Sequence, residues 1–213
     1  MTEGTEARRR NSLRLQEFNY AWAGVYFVTI CSAGRQPLFE EQALRRIIEA
    51  ARHGLPDRFP RVGLDAFVIM PNHLHFVLWL TPEVGAPLAG APDGGPWAAQ
   101  RGGEQGRARA GASPAPTLGD VVGAFKSIVA TEWLEWVKAN DPLRSAKVWQ
   151  RNYYERIIRD GDELDAVREY IALNPLKWEL DRENPEHAPD DAWTRQWGWL
   201  ESDEEATQVA AAA

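Results

Sequence analysis

Apolar and polar positions along the chain alternate between two periods. Val25 to Cys31 (VYFVTIC) is a run of β-branched and aromatic residues, the composition of a strand. Ser32 to Pro37 reads as a turn. Phe39 to Arg52 places Leu44, Ile47, Ile48 and Ala51 at helical spacing, and Gly54 to Pro60 breaks the pattern. Arg61 to Met70 and His73 to Leu80 are two further apolar runs separated by the turn signal Pro71-Asn72, which predicts a hairpin. Thr117 to Val137 predicts a helix with an apolar stripe of Val121, Val122, Phe125, Ile128, Val129 and Leu134. Thr117 and Asp120 form a short variant of the capping box at its start. Lys147 to Arg159 (KVWQRNYYERIIR) suits a strand, a turn and a short strand. Asp162 to Asn174 predicts a last helix, capped by Asp160 or Asp162, with Leu164, Val167 and Ile171 as its core stripe. Pro175 ends it at Asn174.

Composition divides the chain. Thr81 to Pro116 is rich in Ala, Gly and Pro, lacks periodicity and is too long for an ordinary connection, so 81–116 is expected to be a low-complexity insertion. Residues 1–15 hold Arg8, Arg9, Arg10 and Arg14 and predict a flexible basic arm, either lying on phosphates or merely solvated. The body is then 16–180. The net charge of −7 argues at first against a nucleic-acid partner. Residues 1–180, however, carry 22 Lys+Arg and 22 Asp+Glu, while 181–213 carry two Arg and nine Asp+Glu. The whole excess sits in an acidic C-terminal tail that contains Trp193, Trp197 and Trp199. Such a tail would mimic phosphate over a DNA-binding face, and unchanged DNA affinity after its deletion would refute that role. A single cysteine, Cys31, excludes an internal disulfide framework and a thiolate zinc site. No segment approaches 18 uninterrupted apolar residues and the N-terminus lacks a signal-peptide core, so a cytoplasmic protein without a membrane partner is expected.

The chemistry concentrates in VIMPNHLHFVLWL, Val68 to Leu80. The chain has four histidines, and two of them, His73 and His75, stand either side of one leucine. On a strand, positions i and i+2 share a face about 6–7 Å apart, close enough for two imidazoles to converge on one divalent cation. Leu74, Phe76 and Leu78 then point into a packed layer. Two histidines that only hydrogen-bond their neighbours are the bland reading of the same pattern. In the last helix, Tyr170 and Asn174 are four apart and stack on one side. Read blandly, they are a half-buried aromatic and a helix-terminating residue. Taken together, His73, His75 and the Asn174 side-chain oxygen can hold a divalent ion. Mixed N and O donors suit Mg²⁺ or Mn²⁺. The ion would polarise a phosphodiester, and Tyr170 is placed to attack phosphorus. Aromatics and arginines interleaved in 147–159 suit either unstacked bases and phosphates or an ordinary amphipathic strand pair.

These residues carry a resemblance. PNHLHFVLW resembles the HUH motif (His, hydrophobic, His) of single-strand endonucleases. With YFVTIC, GDVVGAFKS, VWQRNYYERIIRD and REYIALNPLKW in the same order, the chain resembles REP-associated tyrosine transposases from about Val25 to Trp178, apart from the insertion. The resemblance implies that 16–180 is an HUH transposase domain of α+β class, with a ferredoxin-like central antiparallel sheet and helices on one side. It implies one catalytic tyrosine, matched by Tyr170 rather than Tyr153 or Tyr154, and a third metal ligand four residues later, matched by Asn174. The implied reaction is Mg²⁺- or Mn²⁺-dependent cleavage of single-stranded DNA near a hairpin. It gives a 5′-phosphotyrosine and a free 3′-hydroxyl, with no nucleotide cofactor, in a bacterial monomer or homodimer. Lys126, Arg151 and Arg156 are the candidate DNA contacts.

Two other classes fit part of the pattern. A non-catalytic DNA-hairpin-binding protein of the same fold would lack a ligand or the tyrosine, and neither is missing. A metal-dependent hydrolase with water as nucleophile would not need Tyr170. A two-histidine phosphoesterase would want a second His-x-Thr/Ser element, which His53 and His187 do not supply.

Overall fold

The computed structural model describes residues 23–81, 116–181, 184–186 and 191–201. The basic arm of 1–15 and nearly all of the 81–116 insertion lie outside the described residues, as does the tail beyond Glu201. Four strands form one antiparallel sheet: β1 (Gly24–Cys31), β2 (Val62–Ile69), β3 (His73–Leu80) and β4 (Tyr154–Ile158), in the spatial order β2-β3-β1-β4. Helix α1 (Gln42–His53) and the one-turn α2 (Leu55–Arg58) connect β1 to β2, and α3 (Leu118–Asn140) lies between β3 and β4. This β-α-β-β-α-β order is the ferredoxin-like arrangement. Helix α4 (Gly161–Leu173), a 3-10 segment (Asn174–Leu180) and helix α5 (Asp191–Glu201) follow.

The two central strands are buried on both faces, which explains why VYFVTIC and HLHFVLWL read as nearly continuous apolar runs. Tyr26, Val28 and Ile30 of β1, with Leu74, Phe76 and Leu78 of β3, face the larger core. Leu44 and Ile48 of α1 and Val121, Val122, Phe125 and Val129 of α3 complete it. Val25 and Phe27, with Val77 and Trp79, face a second core made by Leu164, Val167, Tyr170 and Ile171 of α4 and Trp193, Trp197 and Leu200 of α5. Helices therefore cover both faces, not one side as the resemblance implies. The reason is that the odd-numbered positions of β1 and β3 include Val25, Phe27, Val77 and Trp79, which need a cover of their own.

The local signals behave as their chemistry demands. Thr117 and Asp120 form a complete capping box on α3, with the Asp120 amide donating to Thr117 Oγ1 at 3.1 Å and the Thr117 amide to Asp120 Oδ2 at 2.8 Å. Asp160, rather than Asp162, caps α4, its carboxylate accepting from the Glu163 amide at 2.9 Å. Three expectations need correction. Gly54 to Pro60 contains the short helix α2 because Pro56 suits a first helical turn. The chain around Lys147 to Arg159 makes one isolated bridge, Trp149 to Ser32, before the single strand β4. In α3 the stripe runs through Trp133 and Val137, while Leu134 is 39% exposed.

One polar cluster ties α4 to the sheet. The Arg168 guanidinium grips the Asp65 carboxylate through Nε at 2.9 Å and Nη2 at 2.7 Å, and Trp79 Nε1 donates to the same carboxylate at 2.8 Å. Burial of Asp65 works against its ionisation, but the bonds from Arg168, Trp79 and the Ala66 amide outweigh it and leave the carboxyl below its usual range. Asp65 lies at the irregularity of β2 between Leu64 and Phe67, where an extra residue turns it toward α4.

The corrected α3 register gives a paired expectation. Phe125→Ala, in the large core, costs about 3–5 kcal/mol, whereas Leu134→Ala stays within about 0.5 kcal/mol. Urea unfolding midpoints of the two variants check this, and equal losses would mean that α3 is rotated from the orientation described.

Candidate metal centre and tyrosine

The pairing of β1 with β3 puts His75 opposite Thr29 and His73 opposite Cys31. Both histidines lie on the face of Phe27, Val77 and Trp79, buried under α4 and the 3-10 segment. Their Nε2 atoms are 3.0 Å apart. The outer nitrogens are also engaged: His75 Nδ1 lies 2.8 Å from Thr29 Oγ1, and His73 Nδ1 lies 2.9 Å from Asn72 Oδ1. The Asn72 amide nitrogen donates to the Arg35 carbonyl at 3.3 Å, so its oxygen is the end that faces His73. An amide oxygen only accepts. His73 Nδ1 therefore carries the proton and its Nε2 carries a lone pair. His75 Nε2 then donates to His73 Nε2, and the Thr29 hydroxyl donates to His75 Nδ1. This one-way chain of neutral groups fixes both ring orientations, as outer partners do for metal-ligating histidines.

Burial holds both imidazoles neutral. It pushes His75 down to about 3 and lowers His73 well below its ordinary value, with the neighbouring His75 and Arg35 charges adding to the effect on His73. Neutral imidazole is the ligating form.

Asp181, at the end of the 3-10 segment, brings Oδ2 to 3.5 Å from His73 Nε2. His73, His75 and Asp181 form a buried group whose donor atoms all lie within 4.8 Å of one another, and such a group can hold a metal ion. Tyr170 is 1% exposed and sets its ring edge-on to His75 at 5.3 Å and to Phe27 at 6.1 Å. Trp178 stands 6.0 Å from His73. Asn174 falls between these two along the chain. It is fully buried, and neither its amide oxygen nor its nitrogen has a hydrogen-bond partner among the described residues. Buried amides are rarely left unpaired, and an ion that accepts an oxygen donor would satisfy this one. The donor set of two imidazoles and a carboxylate suits a divalent cation.

Sequence reasoning thus named His73, His75, Tyr170 and Asn174 and missed Asp181. No periodic signal marks a candidate ligand eleven residues past Tyr170, beyond a proline and a 3-10 segment. The run of acidic residues in which Asp181 stands reads as solvated tail.

A protein of Haemophilus influenzae that carries no functional name is 35% identical over 185 residues, covering 81% of this chain and 92% of its own. The chain belongs to the family of that protein. No family model matches it. Among solved structures it is similar to a REP-associated tyrosine transposase bound to a REP hairpin, at 19% identity over 78% of this chain and 74% of the other, with a TM-score of 0.44. It is also similar to a candidate transposase of Deinococcus radiodurans R1, at 13% identity over 83% of this chain and 98% of the other, with a TM-score of 0.40. Likeness of fold does not by itself assign a function.

The cationic residues take mixed positions in this member of the family. Lys126 donates to the carbonyls of Gln150, Arg151 and Asn152 at 2.8, 3.3 and 3.3 Å, and burial lowers its pKa. It organises the loop before β4. Arg151 is exposed on that loop. Arg156 shares the histidine face but is engaged, donating to Glu163 at 2.9 Å and to the Trp199 carbonyl at 2.9 Å and lying 4.7 Å over the Trp199 ring. Register also puts Tyr154 on the histidine face, opposite Thr29, while Tyr153 packs against the larger core. Helix α5 closes over the tyrosine: Trp193 and Trp197 approach the Tyr170 ring to 5.8 and 5.7 Å. Of the tail, Trp193 and Trp197 cover this face, and most of its acidic side chains lie outside the described residues. Among the described residues, no helix is long and apolar enough to cross a membrane.

Both folded histidines have pKa values below the unfolded value of about 6.5, so between those values the unfolded chain binds more protons. Stability of the metal-free protein should therefore be level above about pH 6.5 and fall as pH drops below it. Thermal melts in a chelator from pH 8 to pH 4 check this. In His73→Gln/His75→Gln the fall should be shallower, and an equal slope would mean that the imidazoles are not held neutral.

Proposed function

We propose that this protein is a metal-dependent single-stranded DNA endonuclease and strand transferase that cuts near hairpins through a covalent tyrosine intermediate. The observation that carries the reading is the edge-on approach of Tyr170 to His75 at 5.3 Å, on a sheet face where two imidazole Nε2 atoms converge at 3.0 Å. The five ordered motifs support the same class. His73, His75 and Asn174 would hold Mg²⁺ or Mn²⁺, which when bound supplies Lewis-acid polarisation of a phosphodiester. The Tyr170 phenol attacks phosphorus. The new bond joins the tyrosine oxygen to phosphorus as the bond to the 3′-oxygen breaks, and the phenolic proton leaves to solvent while the departing 3′-oxygen takes one up. The products are a 5′-phosphotyrosine and a free 3′-hydroxyl. Attack by a 3′-hydroxyl reverses the step and joins strands. The ester energy is conserved, so no nucleotide cofactor is needed. Thr29 and Asn72 hold the imidazoles in place, and exposed Arg151 with the loop built on Lys126 supplies phosphate contact. Substrate reaches Tyr170 once α5 has moved from it.

That covering favours a second reading, a DNA-hairpin-binding protein that does not cut. With 1% of Tyr170 exposed, the phenol is shielded as the chain stands.

A labelled single-stranded hairpin oligonucleotide, with the REP hairpins bound by the solved relative as the first choice, separates the two. With Mn²⁺, wild type and Tyr154→Phe should form an SDS-resistant adduct, and Tyr170→Phe should form none. His73→Ala should slow cleavage at least about 100-fold, since even outer partners of metal ligands are worth about 10–100-fold. Binding without any adduct across hairpin substrates supports the non-cutting reading. Cleavage that persists in Tyr170→Phe without an adduct points to a water nucleophile instead.

A further inference from the structure

We propose that Asp181 is a metal ligand, so that the centre is built from His73, His75, Asn174 and one carboxylate. This rests on the metal-dependent reading above and adds a residue to it. The argument begins with the proton on His73. Its Nδ1–H is committed to the Asn72 oxygen, because the Asn72 amide nitrogen faces the Arg35 carbonyl. The other ring nitrogen, Nε2, then carries a lone pair, which in the metal-free chain accepts from His75 Nε2. It is this atom that Asp181 Oδ2 approaches to 3.5 Å, and the same atom that stands 3.0 Å from His75 Nε2. An ionised carboxylate oxygen against an imidazole lone pair has no proton to share, and a cation between the two would make the contact attractive.

The spacing fits that cation. Donor atoms bound to one ion at about 2.0–2.2 Å stand roughly 3 Å apart along the edges of its coordination shell. The 3.0 and 3.5 Å separations are of that size. The buried amide of Asn174, without a hydrogen-bond partner among the described residues, adds a fourth donor. A set with one anionic oxygen, two neutral nitrogens and an amide leaves positions for a phosphate oxygen. It also neutralises half of the ion's charge in a site with little water, which lowers the cost of burying it.

The position of Asp181 is set by the chain rather than by the sheet. Pro175 ends α4, the 3-10 segment carries the backbone from Asn174 to Leu180, and Asp181 follows with its amide bonded to the Trp178 carbonyl at 3.2 Å. Trp178 packs beside His73. The segment that leads toward α5 is thereby anchored at the metal site by its first residue.

The test uses the full chain and Mn²⁺ alone, with affinity measured by calorimetry and by the electron paramagnetic resonance of free Mn²⁺. His73→Ala/His75→Ala defines weak binding to the acidic tail, which is subtracted. Asp181→Asn, nearly isosteric, should weaken the remaining site at least 10-fold, and Asn174→Ala should weaken it independently. The infrared difference spectrum of the wild type on adding Mn²⁺ should show a displaced carboxylate band that is missing in His73→Ala/His75→Ala. That readout stands even if Asp181→Asn fails to fold. Unchanged affinity in a folded Asp181→Asn, or a wild-type spectrum without the carboxylate band, overturns the assignment of Asp181 and leaves the metal-dependent reading intact. A wild type that binds no more Mn²⁺ than the double histidine variant overturns both.

Discussion

The pairing of β1 with β3 is the constraint on which the rest depends. Antiparallel register fixes which side chains meet across the strands. One register brings Thr29 to His75, Cys31 to His73, and Phe27 to Val77. A slip of one residue would turn both histidines into the larger core, among Leu44, Phe125 and Val129. Polar imidazoles there would face no partner, and the cost of burying them unpaired opposes the slip. The apolar runs on both faces of these strands thus do not leave the register free. Two polar side chains and the Pro71-Asn72 turn pin it, and the same side chains make the site.

From that face outward, each element has a reason to lie where it does. The second face of a doubly apolar strand pair must be covered, and α4 and α5 cover it. Helix α4 cannot slide, because Arg168 is held by Asp65, which also takes the Trp79 indole. Tyr170 is two residues from Arg168, so the ion pair that orients the helix also sets the distance from phenol to imidazole. The hydrogen-bonded chain from Thr29 through both histidines to Asn72 and Arg35 then brings the two Nε2 atoms together at 3.0 Å.

Much of this was legible in the residues because the signals are local. The strand VYFVTIC, the hairpin about Pro71-Asn72, the capping box of Thr117 and Asp120, and the cap at Asp160 each rest on chemistry within a few positions. So does the sharing of a face by His73 and His75. What the sequence hid depends on tertiary context. Trp133 and Leu134 are both apolar, and only the docking of α3 against α1 selects the first for the core. Lys126 reads as a free cation until the loop at Gln150 to Asn152 folds over it. Asp181 reads as one more acid of the tail until a proline and a 3-10 segment swing it against His73.

A face able to hold a metal ion and packed with aromatics is a demanding combination, and the arrangement explains how it is sustained. Neutral imidazoles can be buried beside Phe27 and Tyr170 because each ring nitrogen has a partner, so the desolvation cost of a charge never arises. The apolar surroundings in turn keep water from the ring nitrogens and strengthen any electrostatic interaction made there. The same surroundings make a bare face of Tyr170, Val77 and Trp79 costly to expose, and Trp193, Trp197 and Leu200 of α5 satisfy it. The proposed chemistry on DNA would need that face open, whereas burial of Trp193, Trp197 and Leu200 against it favours the closed arrangement. Apolar burial and the hold of Arg156 on Trp199 both keep α5 in place, and a ligand that offers stacking bases of its own would compete with those tryptophans.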